Sequence, residues 1–296
     1  MTRRQAVLSL WATCLIWGAA FPLAKLALRD ASPMAFTAAR FVTASLLVGP
    51  ALRGVSRDEW RAGAVLGALL AIGFATQTVG LQWTTPSRSG FLTSLYIPFT
   101  PLIVLLVYRT LPDRIAGLGL VVAVTGMFIL TRPGDLAGGL NQGDLLTILC
   151  AFAFASHMVA TGNYARRHRV ERLMMAQIVV AGVLCSLATP LLERPRLHWT
   201  PLLLGMVAYE AVLASVVAIR LQLLAQQVLS ATYAALVYTL EPVIAAGTSL
   251  LITGDRLSLV QWCGGGLILA GSLLPEMTRG LRTKPPDAGS ISIPHP

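Results

Sequence analysis

The chain has 296 residues, of which 55 % are hydrophobic and only 12 % charged, and its mean hydropathy is +0.69. A soluble domain carries about 25 % charged side chains, so half that density excludes a soluble globular enzyme and points to a bilayer. Its 23 Lys and Arg against 13 Asp and Glu leave a net charge of +10, a surplus that suggests nucleic acid until its distribution is considered.

In chain order, continuous apolar stretches run over residues 6–28, 33–52, 62–83, 88–108, 115–131, 144–165, 173–192, 201–219, 228–252 and 258–275. Each is close to the ~20 residues that cross ~30 Å of hydrocarbon. Short breaks such as Arg29-Asp30-Ala31-Ser32-Pro33 and Thr110-Leu111-Pro112-Asp113 join antiparallel neighbours. The runs are apolar throughout rather than alternating, which predicts helices and not barrel strands. The expected fold is an all-α membrane protein of ten transmembrane helices. Its first span exceeds the 7–15-residue core of a signal peptide and is expected to remain in the protein. Cys14, Cys150, Cys185 and Cys263 lie within spans without CxxC spacing, so they read as small core residues. The tail 277–296, rich in Pro, Ser and Gly, is expected to be disordered.

With the N-terminus inside, 15 of the basic residues fall on the inner face and 6 on the outer, while Lys25 and Arg40 fall within spans. This bias sets both termini in the cytoplasm and the chain in an inner or plasma membrane. Topology thus accounts for the positive charge, and no nucleic-acid partner is called for.

The spans form two sets of five. At an offset of 141, Ser89 falls on Ser230, Leu95 on Leu236, Thr100 on Glu241 and Pro101 on Pro242; at 137, Trp17 falls on Phe154 and Arg40-Phe41 on Gln177-Ile178. Gly119 and Gly126 in span 5 are matched by Gly264 and Gly271 in span 10, each pair seven apart. The organisation read from this is a first five-helix repeat at 1–132, an outer linker at 133–141 and a second repeat at 142–276. Because five is odd, the second repeat enters the membrane inverted. Inverted repeats are typical of transporters, with the substrate near midplane between the halves.

Charges within a bilayer are costly and normally face a cavity or a partner. Lys25 is read as either an interface anchor or a cation lining the mouth. Arg40 sits roughly 12 Å from the outer end of span 2 at 1.5 Å per residue, and ties helices together or meets substrate. Glu241, beside Pro242, Glu210 and His157 are candidates for ion or proton coupling, or else are hydrogen-bonded pins between helices. Trp17, Phe21 and Lys25 share one face of span 1. Ser89, Thr93, Tyr96 and Thr100 form a polar stripe on span 4, joined by Gln77, Tyr233 and Tyr238. The stripes predict a cavity suited to a small zwitterion with an apolar side chain, although interhelical hydrogen bonding also accounts for the hydroxyls. Pro98, Pro101 and Pro242 are candidate hinges. Gly264-Gly265-Gly266 lacks the Lys-Ser/Thr of a phosphate loop and reads as helix packing.

Trp17-Gly18-Ala19-Ala20-Phe21-Pro22, Ala39-Arg40-Phe41, Pro101, Leu240-Glu241-Pro242-Val243 and the glycine-rich spans 5 and 10 together resemble the EamA-type family of the drug/metabolite transporter superfamily. Asp113 and Asp255 stand where that family usually has Glu after a helix-ending glycine. The resemblance is greatest to YddG-type exporters of aromatic and other neutral amino acids. It implies alternating access through a cavity between spans 1, 3, 4, 6, 8 and 9, with spans 5 and 10 as scaffold, in a monomer or weak dimer. The expected partners are a small-molecule substrate and lipid; no cofactor or metal is called for. Rival readings are a proton-coupled multidrug or nucleotide-sugar carrier on the same fold and a membrane-embedded enzyme, although no HExxH or clustered nucleophile–base set occurs and the four histidines are scattered.

Overall fold

The structure, a computed structural model, describes residues 1–49, 54–80, 82–83, 86–131, 139–253 and 258–280. Asp255, Arg256, linker positions 133–138 and the tail from 281 lie outside the described residues, as do the side chains of Phe21 and Lys25. The described residues form α1 (Arg3–Ala27), α2 (Pro33–Val48), α3 (Arg57–Gly80), α4 (Pro86–Thr93), α5 (Tyr96–Tyr108), α6 (Arg114–Thr131), α7 (Gln142–Tyr164), α8 (Val170–Leu192) and α9 (Pro201–Tyr209). A π-helical segment (Glu210–Val217) joins α9 to α10 (Ala218–Gln226), and α11 (Ala231–Tyr238), α12 (Glu241–Thr253) and α13 (Leu259–Gly280) follow.

The chain is an all-helical, multi-pass membrane protein. Five helical stretches, one of them the composite 201–226, are long and apolar enough to cross a membrane, and shorter apolar helices pack beside them. Leu106, Leu191, Leu251 and Leu259 are each at least 79 % exposed, part of an apolar surface of the kind that faces lipid or another protein. Two boundaries differ from the hydropathy reading. The eighth stretch continues past 219 to Gln226, so Arg220 lies on α10 and pairs with Glu171 at 3.0 Å. Helix α13 runs to Gly280, past the expected start of the tail at 277.

Helix starts follow from local chemistry. Thr2 and Asn141 close capping boxes with Gln5 and Asp144, and the side chains of Thr200 and Ser230 accept from the backbone N–H groups of Leu203 and Tyr233, supplying acceptors that a helix N-terminus otherwise lacks. The fourth and ninth stretches are each split in two. The splits fall at Ser94–Leu95 and Thr239–Leu240, a turn before the prolines instead of at them. A proline at i has no N–H for the carbonyl at i−4; for Pro98 and Pro242 those carbonyls belong to Ser94 and Tyr238. Tighter i→i+3 bonds, Ile97 N–H to Ser94 O and Leu240 N–H to Val237 O, bridge the gaps. Pro101 sits inside α5 without breaking it.

Helix starts recur between the first and second parts of the sequence at offsets that grow from 137–139 to 145, α1 and α7 beginning 139 residues apart. Helices α2 and α8 begin 137 residues apart, α3 and α9 begin 144 apart, and α4/α11, α5/α12 and α6/α13 all begin 145 apart. The step from 144 to 145 coincides with the π-helical segment, whose wider turn accommodates one extra residue. The offset of 141 read from matching Pro101 to Pro242 is therefore one helical turn short. At 145, Tyr96 falls on Glu241 and Thr93 on Tyr238.

Helices α6 and α13 meet through reciprocal glycines. A Cβ on Gly119 would lie 2.5 Å from the Gly271 carbonyl oxygen, and one on Gly271 would meet the Gly119 oxygen; Gly126 and Gly264 face each other in the same way. The hairpin ends are also tied across the halves. At one end the Glu193 carboxylate accepts from Ser32 Oγ and from the Ala35 N–H at 2.8 Å, and Thr200 Oγ1 donates to Asp30. At the other, Glu59 accepts from the Ser56 N–H and pairs with Arg172 at 3.1 Å.

Candidate functional site

A cavity of about 180 Å³ lies inside the bundle. Its lining comes from α1 (Trp17, Ala20, Ala24), α3 (Leu70, Phe74, Gln77), α4 and α5 (Thr93, Tyr96) and α7 (Phe154, His157, Met158). The π-helical segment (Glu210, Ala214), α10 (Ile219, Gln222), and α11 and α12 (Tyr238, Glu241) complete the wall, and Arg40 reaches in from α2. Among the described residues α6, α8 and α13 contribute nothing to it. Trp17 and Phe154, 137 residues apart, both pack against the two large buried apolar clusters.

Most of the lining falls in such pairs. Trp17/Phe154 and Ala20/His157 are 137 apart and Leu70/Ala214 are 144 apart. Beyond the π-helical segment, Phe74/Ile219, Gln77/Gln222, Thr93/Tyr238 and Tyr96/Glu241 are 145 apart. Tyr96 and Glu241 touch each other: the phenol donates to Glu241 Oε2 at 3.0 Å.

The charged pair departs from this pattern. At the registers of Arg40 and Glu210 the other half has Gln177 and Leu66. Arg40 Nη1 lies 2.8 Å from Glu210 Oε2, its Nε donates to Ser215 Oγ at 2.8 Å and its Nη2 to the Ala214 carbonyl at 3.3 Å. The guanidinium also lies over the rings of Phe41 and Phe74, 5.0 and 4.8 Å from their centroids, so donors and face are both used. Ser215 passes the network on by donating to the Glu210 carbonyl five residues back, the spacing of a π-helix. Trp17 Nε1 donates to the same Ala214 carbonyl at 2.8 Å, and its ring meets Tyr238 edge-on at 5.4 Å. Opposite, Gln77 donates to Thr93 Oγ1 at 3.0 Å, and His157 Nε2 lies 2.9 Å from Gln177 Oε1.

Of the residues picked from sequence, Trp17, Arg40, Gln77, Thr93, Tyr96, His157, Tyr238, Glu241 and Glu210 line the cavity. Ser89 and Tyr233 do not. Ser89 is buried one turn, roughly 6 Å, from Thr93 along α4. Tyr233 is five residues from Tyr238, hence on another side of α11, where the Arg3 guanidinium covers its ring at 4.9 Å. The side chains of Phe21 and Lys25 lie outside the described residues. Sequence reasoning missed Phe74, Met158, Ile219 and Gln222. Gln222 carries a signal only as the partner of Gln77, at an offset that requires knowing of the π-helical insertion.

The sequence matches the EamA-like transporter family over residues 4–132 and 141–275. An Archaeoglobus fulgidus protein described as an uncharacterized transporter is 32 % identical over 276 residues, covering 93 % of this chain and 87 % of its own length. The Escherichia coli K12 protein YedA, described as an uncharacterized inner membrane transporter, is 24 % identical over 284 residues, covering 92 % of this chain and 91 % of its own. A solved crystal structure superposes with a TM-score of 0.77 at 19 % identity, over 95 % of this chain and all of the other, which speaks to fold alone. The helical bundle, its internal cavity and these matches agree: the chain belongs to the EamA-like transporter family.

Proposed function

We propose that the protein is a secondary transporter that exports small metabolites, aromatic or other neutral amino acids, by alternating access through this cavity. In this reading the chain crosses the membrane ten times as two inverted five-helix repeats with both termini in the cytoplasm. The observation that carries it is the paired lining. Residues at matching positions in the two halves of the sequence converge on one partly open cavity, as expected where inverted repeats share a midplane site. The reciprocal glycines of α6 and α13 and the separate family matches at 4–132 and 141–275 support the same reading.

The lining favours a small substrate with a flat apolar body. Trp17, Phe74, Tyr96, Phe154 and Tyr238 supply aromatic surface, and about 180 Å³ falls below the ~300–1,000 Å³ of drug-sized pockets. A nucleotide sugar needs cations for its phosphates, and Arg40, the cation lining the described part of the cavity, is bound to Glu210. Purified protein in liposomes, given a panel of labelled amino acids with and without a pH gradient, is expected to accumulate at least one of them saturably. No saturable flux of any panel member refutes the substrate class.

The breaks at Ser94–Leu95 and Thr239–Leu240 are the proposed hinges. Pro98→Ala and Pro242→Ala restore the N–H for the freed carbonyls and are expected to slow exchange while leaving substrate affinity near its original value. Unchanged exchange rates in both variants remove the hinge role.

A further inference from the structure

We infer that the cavity recognises its substrate by a protonated amine, held by the free oxygen of Glu241, and that a carboxylate on the substrate is dispensable. This deepens the proposed transport function and rests on it.

The argument begins with which charges are available. Two acidic side chains and one basic side chain line the described cavity. Arg40, the natural clamp for a substrate carboxylate, is not free: its donors go to Glu210, Ser215 and the Ala214 carbonyl, and Phe41 and Phe74 cover its guanidinium. Glu210 is neutralised by the same contact. Glu241 differs. Its Oε2 accepts from Tyr96, and its Oε1 is buried with no hydrogen-bond partner among the described residues. A buried acceptor of this kind costs free energy until something donates to it.

The walls select the donor. A metal ion needs several oxygen ligands, and the described residues hold no group of three or more His, Cys, Asp or Glu that could hold one. An ammonium needs fewer, and the same cavity is lined by the aromatic rings of Trp17, Tyr96 and Tyr238, a ring type that attracts organic cations where a face is presented. An amine on a flat apolar body therefore matches both the acceptor and the walls. A carboxylate on the same body would face Glu241 as a like charge and find the guanidinium already bound.

Four probes on one phenyl body separate the possibilities: L-phenylalanine, L-phenylalaninamide, phenethylamine and 3-phenylpropionate, titrated onto the purified full-length protein in detergent by calorimetry. The two amines without a carboxylate are expected to bind at least as tightly as phenylalanine, and 3-phenylpropionate not to compete. Glu241→Gln keeps the size and the Tyr96 contact and is expected to weaken the amines about 10- to 100-fold, with Glu241→Asp recovering part of the loss. Lys25→Met, made because Lys25 lies on the neighbouring helix α1, is expected to leave the order of the four probes unchanged. Binding of 3-phenylpropionate in preference to the amines overturns the inference, as does unchanged amine affinity in Glu241→Gln or no binding by any of the four. The transport reading fails on a separate measurement, absence of flux for the whole amino-acid panel in liposomes.

Discussion

Glu210→Leu is expected to be the most damaging single substitution in the protein, lowering stability by about 3–5 kcal/mol through the loss of one partner from a buried ion pair. The side chains of Arg40 and Glu210 are only 11 % and 2 % exposed. With Glu210 gone, a guanidinium that cannot shed its proton is left with Ser215 and a single carbonyl. Arg40→Met is expected to cost less, because the Glu210 carboxyl left behind can take up a proton. Arg40→Met combined with Glu210→Leu replaces the pair by apolar side chains and is expected to recover most of the loss, since the desolvation of both charges disappears with them. Thermal unfolding of the purified variants in detergent checks all three. If the two single losses simply add in the double variant, the pair is not the energetic unit the geometry implies. Arg40→Lys is not a neutral replacement: an ammonium cannot reach Glu210, Ser215 and the Ala214 carbonyl while covering two rings.

The second large effect lies at the seam of α6 and α13. Gly119→Ala, Gly271→Ala, Gly126→Ala and Gly264→Ala each place a methyl against the backbone of the facing helix, where neither side can rotate away. Each is expected to cost about 1–3 kcal/mol by overpacking. The pattern of doubles is the sharper test. Gly119 and Gly271 share one contact, so once the helices have moved apart for the first methyl the second costs little; the same holds for Gly126 with Gly264. Gly119→Ala with Gly126→Ala loads two separate contacts and is expected to sum. Unfolding temperatures of the four single and three double variants give the answer, and equal additivity in all doubles shows that the seam is not built from these two contacts.

The sequence was most legible where the bilayer dictates it. Composition placed the chain in lipid, and apolar runs located the helices to within a few residues, because every backbone group in hydrocarbon must be bonded within its helix. The exceptions are informative. The stretch 88–108 reads as one helix by hydropathy, yet the missing N–H of Pro98 breaks it at Ser94–Leu95; Ser89 shares the α4 face of Thr93 but lies a turn away along the axis, a depth that a helical stripe does not report. Matching proline to proline gave a register one turn short, because the first half has two prolines where the second has one, and Pro98, not Pro101, breaks its helix as Pro242 does. Arg40, Glu241 and His157 stood out because ionisable groups are rare inside spans. Whether they meet substrate or one another depends on which helices touch, and periodicity says nothing about that. Phe74 and Ile219 were invisible for a simpler reason: nothing in a membrane sequence distinguishes an apolar residue facing a cavity from one facing lipid.

The extra residue in the π-helical segment has a directional consequence. At ~100° per residue, adding one turns the rest of that helix, whose Ile219 and Gln222 line the cavity, and the same segment presents the Ala214 carbonyl to both Trp17 and Arg40. Most of the paired lining residues differ in chemistry, Ala20 against His157 and Tyr96 against Glu241 among them, so the two ends of a ligand meet different walls. With the Arg40 guanidinium held at the π-helical segment and the buried Oε1 of Glu241 left without a partner among the described residues, the chamber has a polarity. A molecule with one charged end is then held one way round, and the chamber acquires a heading.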